Sequence, residues 1–178
     1  MSGKQPVVLT ASCRCGAVVL EATGAPIVHA ACYCASCQAA GRQIEQLADA
    51  PPVLGADGGT DVVLYRKDRV RCAQGGERLE AFRLKPASPT RRIVATCCNS
   101  AMFLDFTRGH WLTVYRARLP DDVPPLELRV MTADRPEGVV LPDDVPNHAG
   151  QPGGLMWRLL TAWAAMGFRV PKVAGAPA

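Results

Sequence analysis

Cys32-Tyr33-Cys34-Ala35-Ser36-Cys37 places three thiols within six positions, in the spacing C-x-C-x-x-C. Thiolates are soft ligands that suit zinc, and three of them leave the fourth tetrahedral position open to water or substrate. The stretch therefore reads as an open zinc site. Composition from Ala35 to about Gly41 favours a short helical turn with Gly41 as its stop, so Cys34 and Cys37 share one face of that turn. Cys32 closes over them from the end of the strand-like run Val28-His29-Ala30-Ala31.

Outward from this stretch, the flanking sequence is built from short β-type runs. Val7 to Ser12 and Ala17 to Ala22 enclose Cys13-Arg14-Cys15-Gly16, which reads as the turn of a hairpin, with Gly16 free to take the positive φ such a turn needs. Two thiolates there form half of a structural zinc site; the other reading is two cysteines used as small apolar residues. Further strands are expected at Asp61–Tyr65, Arg69–Cys72, Leu79–Leu84, Arg92–Thr96, Met102–Phe106 and Trp111–Ala117, with Cys97-Cys98-Asn99-Ser100 following the fourth of these. Ile44 to Ala48 is a second short helical turn. Many short strands at close spacing predict a mainly β fold of packed sheets. The exception is one C-terminal helix, Gly154 to Gly167, whose Leu155, Leu159, Ala162, Trp163 and Met166 keep a 3-4 spacing and mark it as largely covered by the β body.

The bulk numbers bound the function. A chain of 178 residues, 48% hydrophobic and 20% charged, is long enough for a real core and is not generally disordered. Residues 7–170 read as a single domain, with 1–6 and 171–178 as disordered ends. A net charge of +4 is mild and far from a nucleic-acid-binding signature. No signal-like segment is apparent, and the apolar run from Leu155 to Phe168 is too short for a bilayer, so the protein is expected to be cytoplasmic, with no membrane partner. In that compartment, eight cysteines clustered by spacing suggest metal rather than disulfides.

Taken in order, C-x-C-G at Cys13 to Gly16, C-x-C-x-x-C at Cys32 to Cys37 and the Cys97-Cys98 pair resemble the glutathione-dependent formaldehyde-activating enzyme family, which includes centromere protein V. The resemblance covers roughly residues 8 to 117. The first two motifs match fully. The family's third motif, C-x-x-C-G, is altered: with Cys97 in its first position, Ser100 and Ala101 stand where cysteine and glycine are expected, while Leu104 keeps the register. The resemblance implies a β-tent fold tied by two zinc ions. One is structural, held by Cys13, Cys15 and Cys97, with Cys98 or Cys72 as the fourth ligand. The other is catalytic and open, held by Cys32, Cys34 and Cys37. A bend at Cys97-Cys98 is needed for both sulfurs to meet one metal, because neighbours in a regular strand face opposite ways; Cys72, in an apolar run, also reads as a buried structural thiol.

The same resemblance implies a carbon–sulfur lyase-type activity on a glutathione–aldehyde adduct, such as formation of S-(hydroxymethyl)glutathione from formaldehyde. Glutathione carries carboxylates, so an arginine is expected near the metal: Arg42 first, then Arg91 and Arg92. His29 and His148 are candidates for proton transfer, His29 alternatively making an ordinary hydrogen bond, and His110 reads as a surface residue. The competing expectation is a non-catalytic zinc-stabilised binding module, marked by an exposed face on the C-terminal helix. A thiol redox role for Cys34-x-x-Cys37 lacks the βαβ context such motifs need.

Overall fold

The computed structural model describes residues 8–177, so the expectation for residues 1–6 lies outside the described residues. Strands β1 (Val8–Ser12) and β2 (Val19–Thr23) form an antiparallel hairpin, and β5 (Val70–Gln74) pairs with β2 to complete a three-stranded sheet. Seven strands make the larger sheet: β3 (Val28–Cys32), β4 (Thr60–Arg66), β6 (Leu79–Phe82), β7 (Thr90–Ala95), β8 (Ser100–Phe106), β9 (Trp111–Tyr115) and β10 (Leu128–Val130). Their order is β10-β3-β4-β9-β8-β7-β6, antiparallel except that β10 runs parallel to β3. The expected mainly β fold, with few helices and one near the C-terminus, is what the structure contains.

Strand alternation divides the larger sheet into two working faces. Val63, Tyr65, Ile93, Phe103 and Val114 meet Leu9, Ala11 and Leu20 of the small sheet in one apolar core. On the opposite face, Val28, Val62, Leu64 and Tyr115 meet Ile44 of α1 (Ala35–Glu45) and Leu155 and Leu159 of α2 (Gly153–Ala164). The architecture is therefore sheet on sheet, with helices over the outer face.

Three expectations change. Helix α1 runs through Gly41 and absorbs the separate turn predicted at Ile44. Gly41 is there for space: a Cβ would stand 2.5 Å from Leu54 Cδ2. Helix α2 is not largely covered, because only Leu155 and Leu159 of its twelve residues are buried, while Met156, Trp157 and Leu160 face outward. The segment from 171, expected to be disordered, lies along β5: Cys72 N donates to Ala174 O at 2.8 Å, and Val173 is buried. No helix among the described residues is long and apolar enough to cross a membrane.

Candidate metal centres

Two groups of cysteines converge, and all eight cysteines are free thiols. The first group is Cys13, Cys15, Cys97 and Cys98. Gly16, at φ +76°, turns the chain so that Cys13 and Cys15 stand on one side of the β1–β2 turn, and the Val18 N–H donates to Cys13 Sγ at 3.3 Å. Opposite them, Cys97 and Cys98 occupy the β7–β8 turn rather than a strand. Asn99 there has φ +50°, a left-handed conformation that asparagine tolerates, so the alternation that would separate adjacent side chains does not apply.

The sulfur spacings test whether a metal fits. Four sulfurs about 2.3 Å from one tetrahedral zinc stand about 3.8 Å apart. The observed separations are 3.5 Å for Cys13–Cys15, 3.8 Å for Cys13–Cys97, 3.4 Å for Cys15–Cys97 and 4.0 Å for Cys97–Cys98. Cys98 completes this group. Cys72 does not join it; its thiol lies 3.2 Å from Gln74 O on β5. Ser100 contributes from behind the sulfurs. Its Oγ lies 3.1 Å from Cys98 Sγ, accepts from Arg14 N at 3.1 Å and from Arg118 Nη1 at 3.2 Å. Burial opposes ionisation of Cys98, but the Ser100 hydroxyl and the neighbouring Cys15 hold it down at about 6. Burial and the Cys15 and Cys13 thiols push Cys97 up to about 12.

The second group, Cys32, Cys34 and Cys37, lies on the helix-covered face at the junction of β3 and α1. Cys34 is the N-cap of α1, and its sulfur accepts from the Cys37 N–H at 3.4 Å. The first turn is braced on three sides. Ala35 N donates to Asp134 Oδ2 at 3.2 Å, and the Gln38 amide bridges Tyr33 O and Asp134 O at 2.6 and 2.7 Å. From below, buried Arg92 of β7 donates to Ser36 O at 3.1 Å. The Cys32 and Cys37 thiols, aided by Ser36 Oγ and the Cys37 N–H, hold Cys34 well below the usual thiol range despite its burial. The Cys34 thiol in turn pushes Cys32 up to about 11, although Cys37 opposes it, and Cys32 and Cys34 together raise Cys37. A divalent ion bound by all three sulfurs would favour their thiolate forms.

Cys32 and Cys37 form part of the wall of a cavity of about 290 Å³ between the sheet and α2, where Leu64, Leu104, Trp111 and Leu155 also face inward. Tyr115 lies on the same wall, and burial raises its hydroxyl above the usual phenol value. Sequence reading named the three cysteines but not Tyr115 or Trp111, whose approach depends on strand pairing across distant segments, nor Gln38, whose bridge to Asp134 O spans 96 positions.

The remaining candidates sort by position. Arg42 is exposed in the last turn of α1, makes no hydrogen bond or ion pair among the described residues, and does not line the cavity. Arg91 pairs with buried Asp105 at 2.5 Å, and Asp105 also meets Lys67 at 2.7 Å on the other face of the sheet. His29 points away from Cys32, as an odd–even alternation requires. Its ring contacts Asp61 Oδ1 at 2.6 Å and Pro124 O at 2.7 Å, and these contacts raise its pKa although burial opposes it. His148 is only half-buried and lies outside the cavity wall. His110, expected at the surface, is buried: its ring stacks on Trp163 at 5.5 Å and its Nε2 meets Leu159 O at 2.7 Å.

A crystal structure of a Rhodobacter sphaeroides protein is similar at 16% identity, over 78% of this chain and 98% of that one, with a TM-score of 0.44. No curated protein matches the chain. One family model matches residues 5–114, a span that includes both cysteine groups and stops before β10 and α2. The chain therefore belongs to that family, which is described as a family of unknown function, DUF6151.

Proposed function

We propose that the protein is a zinc-dependent enzyme of carbon–sulfur lyase type, acting on a thiol–aldehyde adduct in the cytoplasm, where its free thiols stay reduced. The observation that carries this reading is the unequal completeness of the two groups. Cys13, Cys15, Cys97 and Cys98 supply four sulfurs, enough to close a structural zinc site; Cys32, Cys34 and Cys37 supply three and border a cavity. The resemblance to the glutathione-dependent formaldehyde-activating family supports the same division of roles.

Zinc held by Cys32, Cys34 and Cys37 would supply Lewis acidity that favours the thiolate form of an incoming thiol. The chain's own residues do the rest. Arg92, Asp134 and Gln38 fix the first turn of α1, and with it Cys34 and Cys37. The sheet and α2 supply largely apolar walls beside the reacting atoms. In adduct formation a carbon–sulfur bond forms, the carbonyl π pair moves to oxygen, and the proton lost by the thiol ends on that oxygen. The Tyr115 hydroxyl, one of three on the wall with those of Thr60 and Thr113, can relay it, giving its own proton to the oxygen and taking the thiol's in exchange. Lyase action is the reverse, and neither direction requires an oxidant.

Metal content measured on protein purified under reducing conditions tests the reading. Two zinc ions per chain are expected, falling to one in Cys34→Ser with the fold retained. Unfolding of that variant would make the middle site structural and remove the basis for catalysis. The exposed Met156, Trp157 and Leu160 favour a second reading, a non-catalytic zinc-stabilised binding module. That reading predicts no turnover of any thiol–aldehyde adduct at full zinc loading.

A further inference from the structure

The cavity beside Cys32 and Cys37 narrows the class of ligand. No charged side chain lines it: its polar groups are the hydroxyls of Thr60, Thr113 and Tyr115 and the Gln151 amide. The Thr60 hydroxyl has no hydrogen-bond partner among the described residues. The basic residues expected to receive carboxylates are turned elsewhere. Arg92 is fully buried against Ser36 O behind the wall, near enough for its charge to act on Tyr115 but not lining the cavity, Arg91 is paired with Asp105, and Arg42 stands in solvent. A volume of about 290 Å³ is at the low end for small-molecule sites. A tripeptide thiol with two carboxylates and an ammonium would have to lose hydration in this space without a counter-charge, a cost its apolar contacts do not offset. An aromatic or aliphatic thiol would meet Leu64, Leu104 and Trp111 from the sheet and Val130, Leu155 and Leu159 from the C-terminal segment.

From this we infer that the site takes a small uncharged thiol with an apolar body, or the adduct of such a thiol with an aldehyde, and excludes glutathione. The inference rests on the reading of Cys32, Cys34 and Cys37 as an open metal site. It assigns selectivity to residues 128–159, which lie beyond the family-matched span and supply the outer wall.

The test is calorimetric titration of the zinc-loaded protein with 2-phenylethanethiol, glutathione and ethylbenzene, the last carrying the apolar body without sulfur. With Trp157 and Trp163 replaced by Phe, Trp111 fluorescence follows entry into the cavity independently of any activity. The expected result is 2-phenylethanethiol binding at least tenfold more tightly than glutathione. Ethylbenzene should bind weakly and equally well to Cys34→Ser, and Leu104→Trp should weaken both apolar ligands at least tenfold at unchanged metal content. Should Leu104→Trp not fold, Met156→Glu, at an exposed position on the rim, should weaken 2-phenylethanethiol instead. Glutathione binding as tightly as 2-phenylethanethiol would overturn the inference and leave the open metal site standing. A chain holding only one zinc but still binding ethylbenzene would refute the metal reading while keeping the apolar ligand class. Failure of ethylbenzene and 2-phenylethanethiol to bind at all would overturn the inference.

Discussion

Leu159→Ala is a sharp test of how the cavity is closed. Helix α2 is held to the sheet by few groups: Leu155 and Leu159 are its two buried side chains, and His110 Nε2 meets Leu159 O. Further contacts include the His110–Trp163 stack, the Arg66 Nη2 bond to the O of the C-cap Ala165, and the Arg158–Glu127 pair, which is largely in solvent and contributes at most about 1 kcal/mol. Removing the buried Leu159 side chain costs about 2–4 kcal/mol, combining lost burial with the void it leaves. Because the seven-stranded sheet keeps its own core against the small sheet, that loss falls on local opening of α2 rather than on global unfolding. Amide hydrogen exchange reads the difference. Amides of residues 155–164 should exchange roughly 30- to several-hundred-fold faster, at 1.4 kcal/mol per factor of ten, while those of β4, β8 and β9 stay unchanged. Equal acceleration in the strands would show that α2 is part of the cooperative core. No acceleration anywhere would show that Leu159 does not carry the docking, and the account of the cavity wall would fail with it.

Three further outcomes are expected. Cys98→Ser should lose the metal of the four-sulfur group and lower Tm by more than 10 °C, whereas Cys72→Ser should keep both metals; elemental analysis beside calorimetry separates them. Arg92→Met, which removes the support of Ser36 O without emptying the space, should weaken metal binding at Cys32, Cys34 and Cys37 about 10- to 100-fold in a chelator competition and leave the other group untouched. Asp105 is buried, yet Lys67 and Arg91 hold its carboxyl below the usual range, so its stabilisation is present above about pH 4 and is lost as pH falls through its lower native value. Asp105→Asn should therefore flatten the acid limb of a pH–stability curve while costing about 3–5 kcal/mol at pH 7, because two buried cations lose their counter-charge.

Local patterns were legible where they depend on neighbouring residues. The thiol spacing at Cys32 to Cys37, the turn at Gly16 and the strand runs around Val62, Ile93 and Val114 all follow from the chain's own periodicity and turn chemistry. What escaped depends on distant segments. Gly41 reads as a helix stop until Leu54 is seen packed over it. Arg42 reads as a ligand contact because it is close in sequence, whereas Arg92, 56 positions from Ser36, is the arginine that reaches the site through the pairing of β7. His110 appears exposed until Trp163 stacks on it, and β10, three residues in a Pro-rich stretch, is a strand only because β3 offers it an edge. Apolar content likewise overstated the burial of α2, since a helix can rest on a sheet by one narrow stripe.

The β1–β2 turn and the β7–β8 turn carry one further consequence, for the unfolded chain rather than the folded one. Cys13 and Cys97 are 84 positions apart. A metal ion held by both turns cross-links the polypeptide across that distance, as a disulfide would. By the loop-closure relation for covalent cross-links, a closure of this length removes about 4–5 kcal/mol of conformational entropy from the denatured ensemble. The C-x-C pair of the first turn is local and can capture the ion before any sheet exists. Capture of Cys97 and Cys98 then brings β7 and β8 to the first hairpin early, when an 84-residue search would otherwise be the slow step.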